Sequence, residues 1–404
     1  MKRASRVNDH LQDGAERGAD VRTFSIMLIL ILLFSSPAAC AQPEGKKPQT
    51  VEDIFLPDGE GVRVGVWVEN LDVPWSLLFL PEGRALVSER KGVIRLIRNG
   101  RVQSKPYAVL DVAHTGEGGL MGLAAHPEFR SKPFIYAMHT YNKDGTLYNR
   151  VIRLKDNGDN AEFEKTIIDT IPGGTFHNGG RIAFGPDGML YITTGETFTS
   201  GLSQDLLSLG GKILRLDPEG GIPPDNPFKG SPLYSYGHRN PQGISWQPVT
   251  GKLFESEHGP SGEFLHFAND EINIIVKGGN YGWPKVIGAA GLKQYTDPVI
   301  VWKHATPPSG ITFYTGDLLK HLKGDLFVAT LKSQALIRIK LEKDLEKVTR
   351  IERWFASDFT EGRYGRLRDV VQGPDGALYF LSNNRDGRGT PEPGDDKIYR
   401  IVPK

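Results

Sequence analysis

Read for the alternation of apolar and polar positions, the chain repeats one unit: a short apolar run, a turn carrying Gly, Asp or Pro, and a second run of alternating character. Six copies occur, at Leu77–Arg90, Leu123–Tyr141, Ile182–Glu196, Ile244–Gly259, Asp317–Lys332 and Val370–Asn384. A further β-like run follows most of them, at Val93–Asn99, Arg150–Lys155, Lys212–Asp217, Leu336–Leu341 and Lys397–Val402. A unit of about four short strands at a roughly 50-residue period is the blade of a β-propeller. The pattern therefore predicts an all-β, six-bladed β-propeller. No stretch keeps a 3.6-residue apolar period with caps, which argues against a helical solenoid or a doubly wound fold. Val62–Val68 and Lys397–Val402 are placed to complete one blade between the two ends of the domain, closing the ring without a free edge. The longest connections fall on either side of the fourth copy and contain Pro223–Pro232 and Phe264–Pro298; long loops in a compact fold often carry function.

Composition agrees with a fold made of turns: 404 residues include 48 Gly and 27 Pro. The net charge of +1, with no basic block, gives no support for nucleic-acid binding. The one long apolar run, Phe24–Phe34, is too short to span a bilayer and leads into small residues, as an export signal does. Residues 1–40 are read as that signal and the protein as exported to the periplasm. The leader mixes Arg17 and Arg22 with Asp13, Glu16 and Asp20; a start at Val21 would leave Arg22 as its only charge. Cys40, the sole cysteine, rules out an internal disulfide. Following Ala38 and Ala39 it fits a lipid attachment site, although Pro37 stands where such signals prefer Leu; ordinary cleavage near Ala41 is the other reading. Residues 41–61 are expected to be a flexible tether and 62–404 the propeller domain.

The loops that enter the innermost strands of a propeller converge on one face. The polar residues just ahead of the repeats are Glu117, His177, Arg239, Asn240, Gln242, Lys332, Arg366 and Arg368. Four cations and a histidine drawn from different blades suit an anion with several carboxylates or phosphates. The plainer reading is that each cation pairs with a nearby acid, such as Asp369 or Glu361, and pins a loop. His177 sits in a turn with Gly179 and Gly180, which let backbone approach a ligand, and a neutral imidazole could accept a hydroxyl proton; alone it could equally be structural. The histidines show no HExxH-type spacing, so no zinc site is expected. The segment around Gly259 and Pro260, with Asp270 and Glu271 following, is rich in oxygen donors of the kind calcium takes, or those acids simply fix the turn.

In this order, GEGGLMGLAAHPEF, HNGGRIAFGPDG, YGHRNPQG, EHGP, DEINIIVKGGNYGWP and RLRDV resemble the soluble, pyrroloquinoline-quinone (PQQ)-dependent sugar dehydrogenases, over roughly Val62–Val402. The resemblance implies a six-bladed propeller that oxidises aldose sugars at the anomeric carbon to lactones and passes electrons to an external quinone or cytochrome. It implies that His177 is the general base and that Arg239 stands beside the developing quinone oxyanion. Asn240, Gln242, Lys332, Arg366 and Arg368 would be the cofactor's polar contacts, and Gly259 and Pro260 the carbonyl ligands of a bridging calcium ion. Glu117 falls where soluble glucose dehydrogenase has a glutamine near the quinone, Phe176 where it has an acid, and Ser261–Asn269 looks inserted. These departures favour the broader aldose dehydrogenase branch. Two other readings are carried alongside: a non-enzymatic binding module of the same descent, and a calcium-dependent lactonase in which His177 activates water.

Overall fold

The structure, a computed structural model, describes residues 51–261, 265–342 and 347–404. The export signal, Cys40 and residues 41–50 of the expected tether lie outside the described residues. Six sheets follow one another along the chain. Their first strands are Pro74–Phe79, Leu120–Ala125, Ile182–Phe184, Pro241–Trp246, Pro308–Phe313 and Leu367–Gln372. These strands adjoin one another around an axis, as where the Gly122 amide donates to the Gly180 carbonyl at 3.0 Å. The repeat count is thus the blade count.

Each junction between neighbouring blades holds its own apolar cluster, built from the alternating positions that the sequence pattern exposes. The two Pro-Asp-Gly turns show how one sequence unit makes one structure. Asp187 accepts from the Met189 amide, the Tyr191 hydroxyl and Arg215; Asp375 accepts from the Ala377 amide, the Tyr379 hydroxyl and Arg400. The expected closure is present: Val62–Val68 pairs antiparallel with Ile398–Pro403, Val62 opposite Pro403.

Two expectations need correction. The chain enters the sheet before Val62, because Asp53–Leu56 adds a parallel fifth strand to the fifth blade, with Asp53 opposite Ile351. Leu56 covers apolar core there, and Asp53 gives the buried Arg353 guanidinium a counter-ion at 2.9 Å. The fifth blade's inner strand is also not the apolar run at Asp317. That run forms a 3-10 turn at Lys320–Leu322 whose Leu319 and Leu322 plug the core, and Pro308–Phe313 upstream supplies the strand.

Candidate active site

His177 precedes the inner strand of the third blade with φ of +54°. This left-handed turn requires bare backbone opposite: a Cβ on Gly195 would stand 1.9 Å from the His177 carbonyl oxygen. The turn presents Nδ1 to Glu196 Oε1 at 2.5 Å, with both side chains buried. Glu196 also accepts from the Phe198 amide and donates its own N–H to the Arg239 carbonyl, tying the dyad to the fourth blade. A carboxylate only accepts, so Nδ1 carries the proton and Nε2 is left as the ring's acceptor. Phe198 lies over the imidazole with ring centres 4.1 Å apart.

His177, Glu117, Arg239, Lys332 and Arg366 line one cavity of about 480 Å³. Residues from five different blades or their entry loops thus meet as the sequence predicts. Lys332 is exposed and makes no hydrogen bond or ion pair with the described residues. Arg366 is held by Asp386 through two bonds of 2.9 and 2.7 Å, so the plainer pairing reading is right for this cation, with a different acid. Asp369 pairs instead with Arg181, away from the predicted set. Asn240, Gln242 and Arg368 are buried and are not part of the cavity's lining. Arg368 is braced by Gln242 Oε1 at 2.8 Å and Asn383 Oδ1 at 2.9 Å, and burial pushes its pKa down to about 9, leaving it cationic at neutral pH. Asn240 accepts from the Gly179 amide. Gly259 and Pro260 border a separate cavity of about 20 Å³ together with Arg239, Glu257 and Glu271.

Glu117 stands on the cavity wall. Its Oε1 accepts from Arg388 at 2.7 Å and its Oε2 from the His177 amide at 3.4 Å. Burial alone would raise its carboxyl, but the basic groups around it, His258 and Arg388 foremost, hold it at about 2. Burial drives His258 itself down to about 3, so at neutral pH it is uncharged and the arginines keep Glu117 ionised. Arg388 is not among the sequence candidates; it lies 271 residues from Glu117 and also packs over Phe176. Glu196 closes the third repeat, and sequence reasoning assigns it no role. The signal that could have found it is its place just after the strand Leu190–Thr194, which follows the histidine turn.

Buried donors lacking an acceptor surround this region: Asn240 Nδ2, Asn383 Nδ2 and, in one tautomer, His258 Nε2. With Lys332 and Arg368 they fit an acceptor-rich polyanion such as PQQ. Gly259 and Pro260, with the Glu271 carboxylate beside the smaller cavity, fit a calcium ion.

A six-bladed propeller with a histidine–carboxylate pair facing a cation-lined cavity defines the class. The family model described as glucose/sorbosone dehydrogenase matches residues 71–399, and the chain belongs to that family. It is 34% identical over 351 residues to the aldose sugar dehydrogenase YliI of Escherichia coli, covering 81% of this chain and 91% of that protein. Among solved structures it is similar to a glucose dehydrogenase-type oxidoreductase of Thermus thermophilus (48% identity, TM-score 0.77, 85% of this chain and 100% of that one). It is also similar to the PQQ-bound aldose sugar dehydrogenase of Streptomyces coelicolor (39%, TM-score 0.73, 85% and 98%).

Proposed function

We propose that this protein is a PQQ- and calcium-dependent aldose dehydrogenase that oxidises the anomeric carbon of aldose sugars to the lactone. The observation that carries this reading is the His177–Glu196 pair on the wall of a cavity that also holds Arg239, Lys332 and Arg366. When bound, the quinone supplies the two-electron acceptor and calcium a Lewis acid.

The chain's own residues do the rest. His177 Nε2 takes the proton of the sugar's anomeric hydroxyl, and Glu196 keeps the ring in the accepting tautomer and stabilises the imidazolium that results. Arg239, on the cavity wall, would offer its guanidinium to negative charge that develops in the cavity. Lys332 and Arg366, with Arg368 and the Asn240 amide, would hold the carboxylates of the cofactor, and Gln242 would act largely by fixing Arg368. The carbonyls of Gly259 and Pro260 would hold calcium. Phe198 and Phe176 offer apolar faces to the C–H side of a pyranose ring.

The binding-module reading gives the dyad no task, and a lactonase acting on neutral lactones has little use for the cation set; family membership favours the oxidoreductase. Electrons leave to an external quinone or cytochrome. Residues 1–40 direct export to the periplasm, with Cys40 as the candidate lipid-bearing residue; mass spectrometry of the mature amino terminus decides between a diacylated Cys40 and cleavage near Ala41. The functional test is dye reduction by the purified protein with PQQ, calcium and a panel of aldoses. Turnover with at least one aldose is expected; no turnover with any, together with no quinone binding, refutes the reading.

A further inference from the structure

We propose that His238, Glu255 and Glu257 form a second, buried site for a divalent first-row metal ion of the manganese or zinc class, distinct from the calcium position at Gly259 and Pro260. Glu255 and Glu257 lie two apart on Leu253–Glu257 and so point to the same face of the fourth blade. His238 stands just ahead of the adjoining strand, in which Pro241 is opposite Glu257. One ligand atom from each residue lies within 4.8 Å of the others, and all three side chains are buried.

Three features fit an ion. His238 Nδ1 and Glu257 Oε2 are 2.9 Å apart, which matches two adjacent corners of an octahedron with bonds of about 2.1 Å, whose edge is about 3.0 Å. The other ring nitrogen, Nε2, lies 2.9 Å from Ser235 Oγ, the second contact by which a metal-bound imidazole is usually oriented. Glu255, fully buried, accepts from Asn273 Nδ2 through Oε2 while Oε1 meets no donor. Glu257 and Glu271 beside it add negative charge. A proton would remove that charge yet leave Oε1 without a partner; a cation answers both. Two carboxylates with one imidazole favour manganese or zinc over calcium. Sequence spacing hid the set, because strand pairing rather than a helical turn brings residue 238 to residues 255 and 257.

The test is metal binding by the purified protein, stripped with a chelator and dialysed against MnCl2 or ZnCl2 with CaCl2 present throughout. One equivalent of manganese or zinc per chain is expected for wild type, with a rise in Tm of about 2–4 °C. Both the equivalent and the rise are expected to vanish in Glu255→Gln and in His238→Gln. Folded wild type that takes up neither ion overturns the proposal. So does a Glu255→Gln protein that keeps the equivalent, or one whose Tm and metal content equal those of wild type, which would mark Glu255 as a neutral acid. If Glu255→Gln does not fold, the wild-type titration and His238→Gln decide the question.

Discussion

Arg388 makes an anionic wall compatible with an anionic ligand, and its removal has a calculable effect. In Arg388→Gln, Glu117 loses the guanidinium 2.7 Å away, one of the basic groups that hold its carboxyl at about 2. Two unit charges about 4 Å apart at an effective dielectric constant of about 20 interact by about 4 kcal/mol. The Arg388 side chain is 51% exposed, so solvent screening reduces this to about 1–2 kcal/mol. At about 1.4 kcal/mol per factor of ten, the dissociation constant for PQQ rises about 5–30-fold. Glu117→Gln removes the repulsion and is expected to bind PQQ at least as tightly as wild type, and the double variant returns toward wild type. Titration of quinone absorbance at two salt concentrations measures all four proteins, and the Arg388→Gln defect should shrink at high salt. An unchanged constant in Arg388→Gln, or a double variant no closer to wild type than the single, would refute the charge-pairing argument.

Glu196→Gln removes the carboxylate charge and lets an amide N–H face Nδ1, which admits the wrong tautomer, and is expected to lower kcat by about 10²–10⁴-fold while PQQ binding stays near wild type; a kcat within threefold of wild type sinks the dyad. Asp386→Asn leaves the buried Arg366 without its counter-charge and should cost about 3 kcal/mol in urea denaturation, with weaker PQQ binding; no loss of either would show that the pair is dispensable. Glu117 is held at about 2 against an ordinary 4.5, so its ionised form contributes stability that is present above pH 4.5 and lost as pH falls through 2. Glu117→Gln should therefore flatten the acid limb of the stability curve, and an unaltered limb would contradict the ion pairing.

The blade count and the closing strand were legible because each blade repeats the same short-range pattern, and the pairing of Val62 with Pro403 needs only two β-forming ends. The fifth blade misled because the apolar Leu318–Leu319 pair imitates a strand, whereas those residues serve a 3-10 turn. Asp53–Leu56 was hidden by its polar surroundings in sequence; what holds it is Arg353, about 300 residues away. The same limit applied at the site. His177 and the cations announce themselves through glycine-rich turns and position ahead of repeats. Their partners Glu196, Asp386 and Arg388 are ordinary charged residues whose meaning comes only from folded contacts, the first two within their own blades and Arg388 with Glu117 of another.

The central claim is that His177 removes the substrate's proton while other residues hold the cofactor. Its most direct measurement is anaerobic mixing of an aldose with PQQ-loaded wild type and PQQ-loaded His177→Gln, following the quinone spectrum. The account predicts that both proteins bind PQQ alike, that wild type reduces it within seconds, and that His177→Gln leaves it oxidised on that timescale. Reduction by His177→Gln at the wild-type rate would contradict it.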